Sequence, residues 1–191
     1  MKTSVAPFTN PFRPGAGHMP PYLAGRQQEE LVFRQLLRQD TILQNMILTG
    51  LRGVGKTVLL ETLKPQAIKA GWLWVGTDLS ESVSVSEESM ATRILADLAV
   101  LTSGITMTVP DQGVAGFMET NTHVTLNYSK LKEVYERTPG LSSDKLKSVL
   151  EYVWFFTSQL DKRGIIFAYD EAQNLSDSAT KDQFPLSLLL D

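Results

Sequence analysis

The chain has 191 residues, 42% of them hydrophobic, which is enough for one domain with a sizeable core. Its 18 basic and 21 acidic side chains leave a net charge of -3, so no global field points to nucleic acid or an anionic membrane as a partner. With no cysteine, disulfides, iron–sulfur clusters and thiolate zinc sites are excluded, and only His18 and His123 can offer imidazole to a metal. The lack of cysteine fits a reducing cytoplasm. Met1 to Phe8 carries no secretory-type apolar stretch, and no window approaches the roughly 20 apolar residues of a membrane helix. A soluble cytoplasmic protein without a membrane partner is expected.

The first 21 residues hold Pro7, Pro11, Pro14, Pro20 and Pro21 with Gly15 and Gly17, and read as an extended arm ahead of a core spanning 22–191. From Arg26 to Gln39 the residues Leu31, Val32, Leu36 and Leu37 form one apolar stripe of an amphipathic helix. Ile42 to Thr49 is a short apolar run ending at a glycine, which suits a buried parallel strand entering a tight turn. A helix follows from about Gly55 to Ala70, with Pro65 predicting a kink or an early end. Trp72 to Thr77 reads as a second strand, and Ser84 with Glu87 as a capping box opening a helix through Leu101.

Between about 102 and 142 the alternation breaks. Thr106 to Val109 and Thr122 to Leu126 have the β-branching of exposed strands, so an irregular insertion, hairpin or loop, is expected there. Lys130, Lys132, Glu133, Glu136 and Arg137 are mixed in sign and suit a solvated helix face. Ser143 is placed to cap a long helix with Leu146, Val149, Leu150, Val153 and Leu160 at helical spacing, after which Gly164 opens a buried strand from Ile165 to Tyr169. Alternating strands and helices predict an α/β fold, a mostly parallel central sheet covered on both faces, with ligands beyond the strands' carboxyl ends.

Gly50-Leu51-Arg52-Gly53-Val54-Gly55-Lys56-Thr57 fits the pattern G-x-x-x-x-G-K-[ST] at every fixed position. The glycines let successive amide N–H groups face phosphate oxygens, and the helix that follows aims its positive dipole end at the same anion. Lys56 is expected to reach the β- and γ-phosphates, and Thr57 to place its hydroxyl on magnesium. Val58, next on the helix, extends the contact set. A glycine-rich turn with a merely solvated lysine matches by chance on occasion, but it need not follow an apolar run and open a helix, as this one does.

Asp170 and Glu171 follow the run Ile165 to Tyr169 directly. In that position Asp170 is expected to hold magnesium and Glu171 to polarise the attacking water. Without the upstream loop, two carboxylates capping a strand end would explain them as well. Tyr22 to Arg26 is expected to fold over an adenine base, with an apolar contact from Leu23 and a polar one near Arg26; an ordinary helix start is the other reading. Thr77 and Asp78 either orient Glu171 or are simply polar surface. Arg52 reads either as a contact to phosphate or to a neighbouring subunit, or as an exposed side chain. Trp72, Trp74, Trp154, Phe155 and Phe156 lack interleaved basic residues and read as packing.

Together, Gly25-Arg26, the loop Gly50 to Thr57 and the pair Asp170-Glu171 resemble the AAA+ ATPases, the bacterial branch similar to origin-recognition-type proteins and STAND regulators. The resemblance covers nearly the whole chain after the proline-rich arm. It implies a three-layer P-loop sandwich, ATP and magnesium as ligands, and ATP hydrolysis coupled to conformational change. It also implies a sensor-1 strand, a further strand and a helical lid beyond Asp191, so the chain is expected to be an N-terminal part, incomplete at its C-terminus. The region Thr102 to Ser142 matches no element of that family. Partners consistent with the resemblance are ATP or ADP, a further copy of the chain, another protein, and, through the family alone, nucleic acid.

Two other functions use the same residues. One is a regulatory module in which ATP is a structural ligand with little hydrolysis. The other takes Asp170-Glu171-Ala172-Gln173 as a helicase-type box, against which stand the missing intermediate motifs and the lack of a basic groove.

Overall fold

An amphipathic pattern first becomes a helix at α1 (Gln27–Leu37), whose first turn carries Glu29 and Glu30 where the helix dipole favours them. In the computed structural model the described residues are 25–42, 44–76, 78–79, 86–110, 121–178 and 181–190, with backbone alone at 107–110 and 121–123. The proline-rich arm, Tyr22, Leu23, Thr77 and Ser84 lie outside them. The chain divides between Ala67 and Ile68 into two compact units.

In the first unit α1 buries Phe33, Leu36 and Leu37, while Leu31 is 46% exposed and Val32 is also open to solvent. The buried stripe is therefore rotated from the expected one. Phe33 at i with Leu36 and Leu37 at i+3 and i+4 makes a tighter apolar face than one containing Leu31 and Val32. The strand expected at Ile42–Thr49 is not formed in the described residues: Gln44 to Thr49 has neither helix nor ladder, and Ile47 is 72% exposed. A parallel strand is held by neighbours on its edges, and no described strand pairs with this one.

Next comes α2 (Lys56–Lys69), which runs on through Pro65 instead of ending there. The ring leaves only the Glu61 carbonyl without its usual helical donor. Leu59, Leu63 and Ala67 recur at every fourth position and are buried, and the Gln66 amide donates to Glu30 Oε2 at 3.2 Å, tying α2 to α1.

The second unit contains a parallel pair, β1 (Trp72–Val75) against β4 (Gly164–Phe167), in register Trp72↔Gly164 through Val75↔Phe167. Gly164 has no side chain because the Trp72 ring occupies that space: a Cβ there would lie 2.5 Å from Cζ3. Parallel partners need a long crossover, and the residues between them supply it. Its first helix, α3 (Glu87–Thr102), is capped by Ser86, whose Oγ accepts from Ser89 N at 3.1 Å. The hairpin of β2 (Thr106–Pro110) and β3 (Asn121–Thr125) is antiparallel, with Thr106 opposite Thr125.

The stretch expected to be irregular carries regular structure beyond that hairpin. Asn127 caps α4 (Tyr128–Arg137), Leu131 and Tyr135 bury one face, and Lys130–Glu133 and Arg137–Glu133 ion pairs occupy the solvated one. Then α5 (Ser142–Thr157) begins one residue before the expected cap Ser143. Asp144 Oδ2 accepts from Leu141 N at 3.0 Å and does the capping instead. The core of this unit joins Ile94 and Leu98 of α3, Leu131 of α4, and Val149, Val153 and Phe156 of α5.

At the end α6 (Pro185–Leu190) is capped by Asp177, which accepts from Leu186 N and from the Ser187 hydroxyl. The Ser187 bond, then the backbone bonds from Leu186 and Ser187, hold the Asp177 carboxyl below its ordinary value. The fold is thus mixed helix and strand with a small parallel sheet. Among the described residues no helix is long and apolar enough to cross a membrane.

Candidate functional site

The loop before α2 takes its shape from backbone freedom. Gly53 (φ 83°) and Gly55 (φ 82°) lie in the left-handed region, and a Cβ at either would meet nothing within 4 Å. Glycine is required there by conformation and not by crowding, so the space beside both residues is open. Lys56 folds back over its own loop: Nζ donates to Gly50 O at 2.9 Å and to Leu51 O at 3.0 Å. An ammonium group has three protons, so one remains for an anion.

Leu59 N bonds to Gly55 O at 2.9 Å, which makes Gly55 the start of the helical ladder. The first turn of α2 carries no acidic residue to compete for the dipole's positive end. Leu51, Arg52, Val54 and Thr57 are exposed and Val58 is partly buried.

Arg26 joins this loop from the start of α1. Its Nη2 donates to Val54 O at 2.8 Å and its Nη1 to Glu29 Oε1 at 2.5 Å. The hydrogen bond from Arg26 is also the main cause holding the Glu29 carboxyl below its ordinary value. A cavity of about 430 Å³ opens beside these groups, lined among others by Arg26, Glu29, Asn45, Leu48, Lys56 and Leu59. The sequence pointed to Arg26 as a site residue and to Glu29 only as polar helix surface; the i, i+3 spacing of opposite charges was the signal that ties the two.

In the second unit, backbone pairing carries β4 onward to the acidic pair. Ala168 N bonds to Val75 O at 2.7 Å, Asp78 and Asp170 form a parallel bridge, and Leu79 N bonds to Asp170 O at 3.0 Å. Asp78, expected near Glu171, therefore lies beside Asp170. Asp170 Oδ1 accepts from Glu171 N at 2.8 Å.

Glu171 adopts φ 55°, ψ 33°, an uncommon conformation for a residue with a long side chain. A turn holds it there, with Asn174 N bonded to Glu171 O at 2.9 Å and the Gln173 amide donating to the Glu171 carboxylate. Asn174 Nδ2 in turn donates to Leu79 O at 2.7 Å. Just upstream, Tyr169 is largely buried; burial first, and the Asp97 carboxylate second, push its hydroxyl pKa up.

No protein-family model, curated protein or solved structure matches the chain. The chemistry of the site is therefore read from its own residues. Among the described residues no group of three or more His, Asp or Glu side chains could hold a metal ion. Magnesium arriving with a polyphosphate needs few protein ligands, and Thr57 at the start of α2 and Asp170 after β4, in separate units, each carry an oxygen of the kind it prefers. The open face at Gly53 and Gly55, the spare Lys56 proton and the unopposed start of α2 suit the polyphosphate.

Proposed function

We propose that the chain is the nucleotide-binding part of an AAA+-type P-loop ATPase, with the three-layer sandwich that such a part implies. The observation that carries this reading is Lys56 folded onto Gly50 O and Leu51 O across a loop turned by two left-handed glycines. That geometry leaves a cation and a run of backbone donors for phosphate oxygens.

In this reading the backbone from Gly50 to Val58 cradles ATP phosphates. Lys56 neutralises charge on the terminal phosphates, while Thr57 and Asp170 are the oxygen groups for magnesium. Magnesium, when bound, withdraws charge from the phosphates as the terminal bond breaks. Glu171 orients and accepts a proton from water.

Lys56→Ala should weaken ATP affinity at least about tenfold, since it removes a charge-assisted contact. Glu171→Gln should keep ATP affinity and slow phosphate release about 10²-fold or more. Unchanged affinity in the Lys56 variant would sink the reading.

A second reading, a nucleotide-binding regulator with little hydrolysis, is favoured by one observation: the Gln173 amide occupies the Glu171 carboxylate. Gln173→Ala should then raise phosphate release. No change on losing Gln173 in an enzyme that already turns over would remove the ground for this alternative.

A further inference from the structure

Arg26 stands at the head of α1, 28 residues before the carbonyl that it binds, and only 20% of its side chain is exposed. Its two terminal nitrogens are divided between an anion and a carbonyl: Nη1 to Glu29 Oε1, Nη2 to Val54 O. Because the guanidinium is planar, fixing one nitrogen on Glu29 fixes where the other points. The Val54–Gly55 peptide is trans, so its C=O and N–H point in opposite directions. Holding the Val54 carbonyl against Arg26 therefore turns the Gly55 N–H to the other face of the loop.

Of the two residues that set this plane, Gly55 has wide conformational freedom and no side chain to restrain it, and Gly53 gives the same freedom to the backbone just before Val54. Lys56 secures the opening of the loop at Gly50 and Leu51, and leaves the Val54–Gly55 peptide to another group.

We infer that Arg26, oriented by Glu29, is a positioning residue for phosphate binding: its bond to Val54 O presets the Gly55 N–H as a donor to a phosphate oxygen. The inference rests on the proposed nucleotide site. It differs from the expectation that Arg26 meets the adenine base, and it predicts an effect on the phosphates alone. Glu29 is the second member of the device, and it touches no ligand.

The test uses the full chain with magnesium and two probes, ADP and inorganic tripolyphosphate, which has phosphates but no base. Affinities are compared for the unaltered protein, Arg26→Ala, Arg26→Lys, Glu29→Gln and Lys56→Ala, with the Gly55 amide followed by NMR. Arg26→Ala should weaken both probes by the same factor, about tenfold. Arg26→Lys should recover part of the loss because one donor can still reach Val54 O, and Glu29→Gln should fall between Arg26→Ala and the unaltered protein. The ADP-induced shift of the Gly55 amide should shrink in Arg26→Ala.

Loss of ADP but not of tripolyphosphate would overturn the inference in favour of a base contact. Equal affinities in Arg26→Ala and the unaltered protein, with Lys56→Ala still weakened, would overturn it and leave the nucleotide site standing. Failure of the unaltered protein to bind either probe would overturn both. Should Arg26→Ala not fold, the Arg26→Lys and Glu29→Gln affinities and their Gly55 shifts decide alone: values equal to the unaltered protein's count against the inference.

Discussion

Glu171 pairs a polar role with an awkward backbone. The left-handed conformation costs an ordinary residue about 1–2 kcal/mol, whereas glycine accepts it at an entropic cost of roughly 0.5–1 kcal/mol. Glu171→Gly should therefore raise the melting temperature, by about 2–4 °C for a gain near 1 kcal/mol, while it slows phosphate release. Asp161 shares that conformation, but aspartate tolerates it better, so Asp161→Gly should give a smaller rise and leave turnover alone. Thermal denaturation beside a phosphate assay checks both, and a lower melting temperature for Glu171→Gly would refute the strain. The carboxylates themselves were legible as an acidic pair after an apolar run. The twist of Glu171 was not, because left-handed positions are signalled by glycine, asparagine or aspartate and a glutamate gives no such sign.

Among the elements, local periodicity was the dependable guide. The helices α3 and α5 and the β2–β3 hairpin follow from apolar spacing and β-branching within a few residues. What failed had two causes, a tighter local stripe in one helix and a missing remote partner for one apolar run. The stripe of α1 was drawn through Leu31 and Val32, yet burial is decided by Phe33, and the apolar run at 42–49 met no described strand to pair with.

The β1–β4 pair did form, and it continues towards Asp170 at one close approach. Gly76 has φ 142°, and a Cβ on it would lie 1.9 Å from Ala168 O. Gly76→Ala should break the backbone bonds past Val75 and cost about 3 kcal/mol or more, combining backbone strain with lost pairing. Circular dichroism against temperature reads that loss; a change below about 1 kcal/mol would mean that the two strands separate easily there.

At the scale of the molecule, the loop and the acidic pair belong to different compact units, and each is built by its own surroundings. A ligand that binds one native unit stabilises that unit by mass action. ATP with magnesium at about a hundredfold over its Kd should contribute about 2.7 kcal/mol, and Lys56→Ala should remove most of the resulting thermal shift. Hydrogen exchange should locate the added protection at Gly50 to Val58. Protection spread evenly over α3 to α5 instead would argue against a phosphate cradle at that loop. The order of the two motifs along the chain was readable at the outset, since both are short and bound to local turns.

The open segment before the loop Gly50 to Thr57 bears on colloidal behaviour. Met46, Ile47, Leu48 and Thr49 are rich in strand-favouring side chains, lack a ladder partner among the described residues, and put Ile47 into solvent. Such a stretch can recruit the same stretch of another molecule by cross-chain hydrogen bonding, and natural sequences restrain that with a charge. Light scattering across a concentration series should show slow association that Ile47→Lys suppresses, with ATP affinity unchanged. Equal scattering from both proteins would remove the segment as its cause. If Ile47→Lys does suppress it, storage life is limited not by the melting of the core but by these four residues beside the loop Gly50 to Thr57.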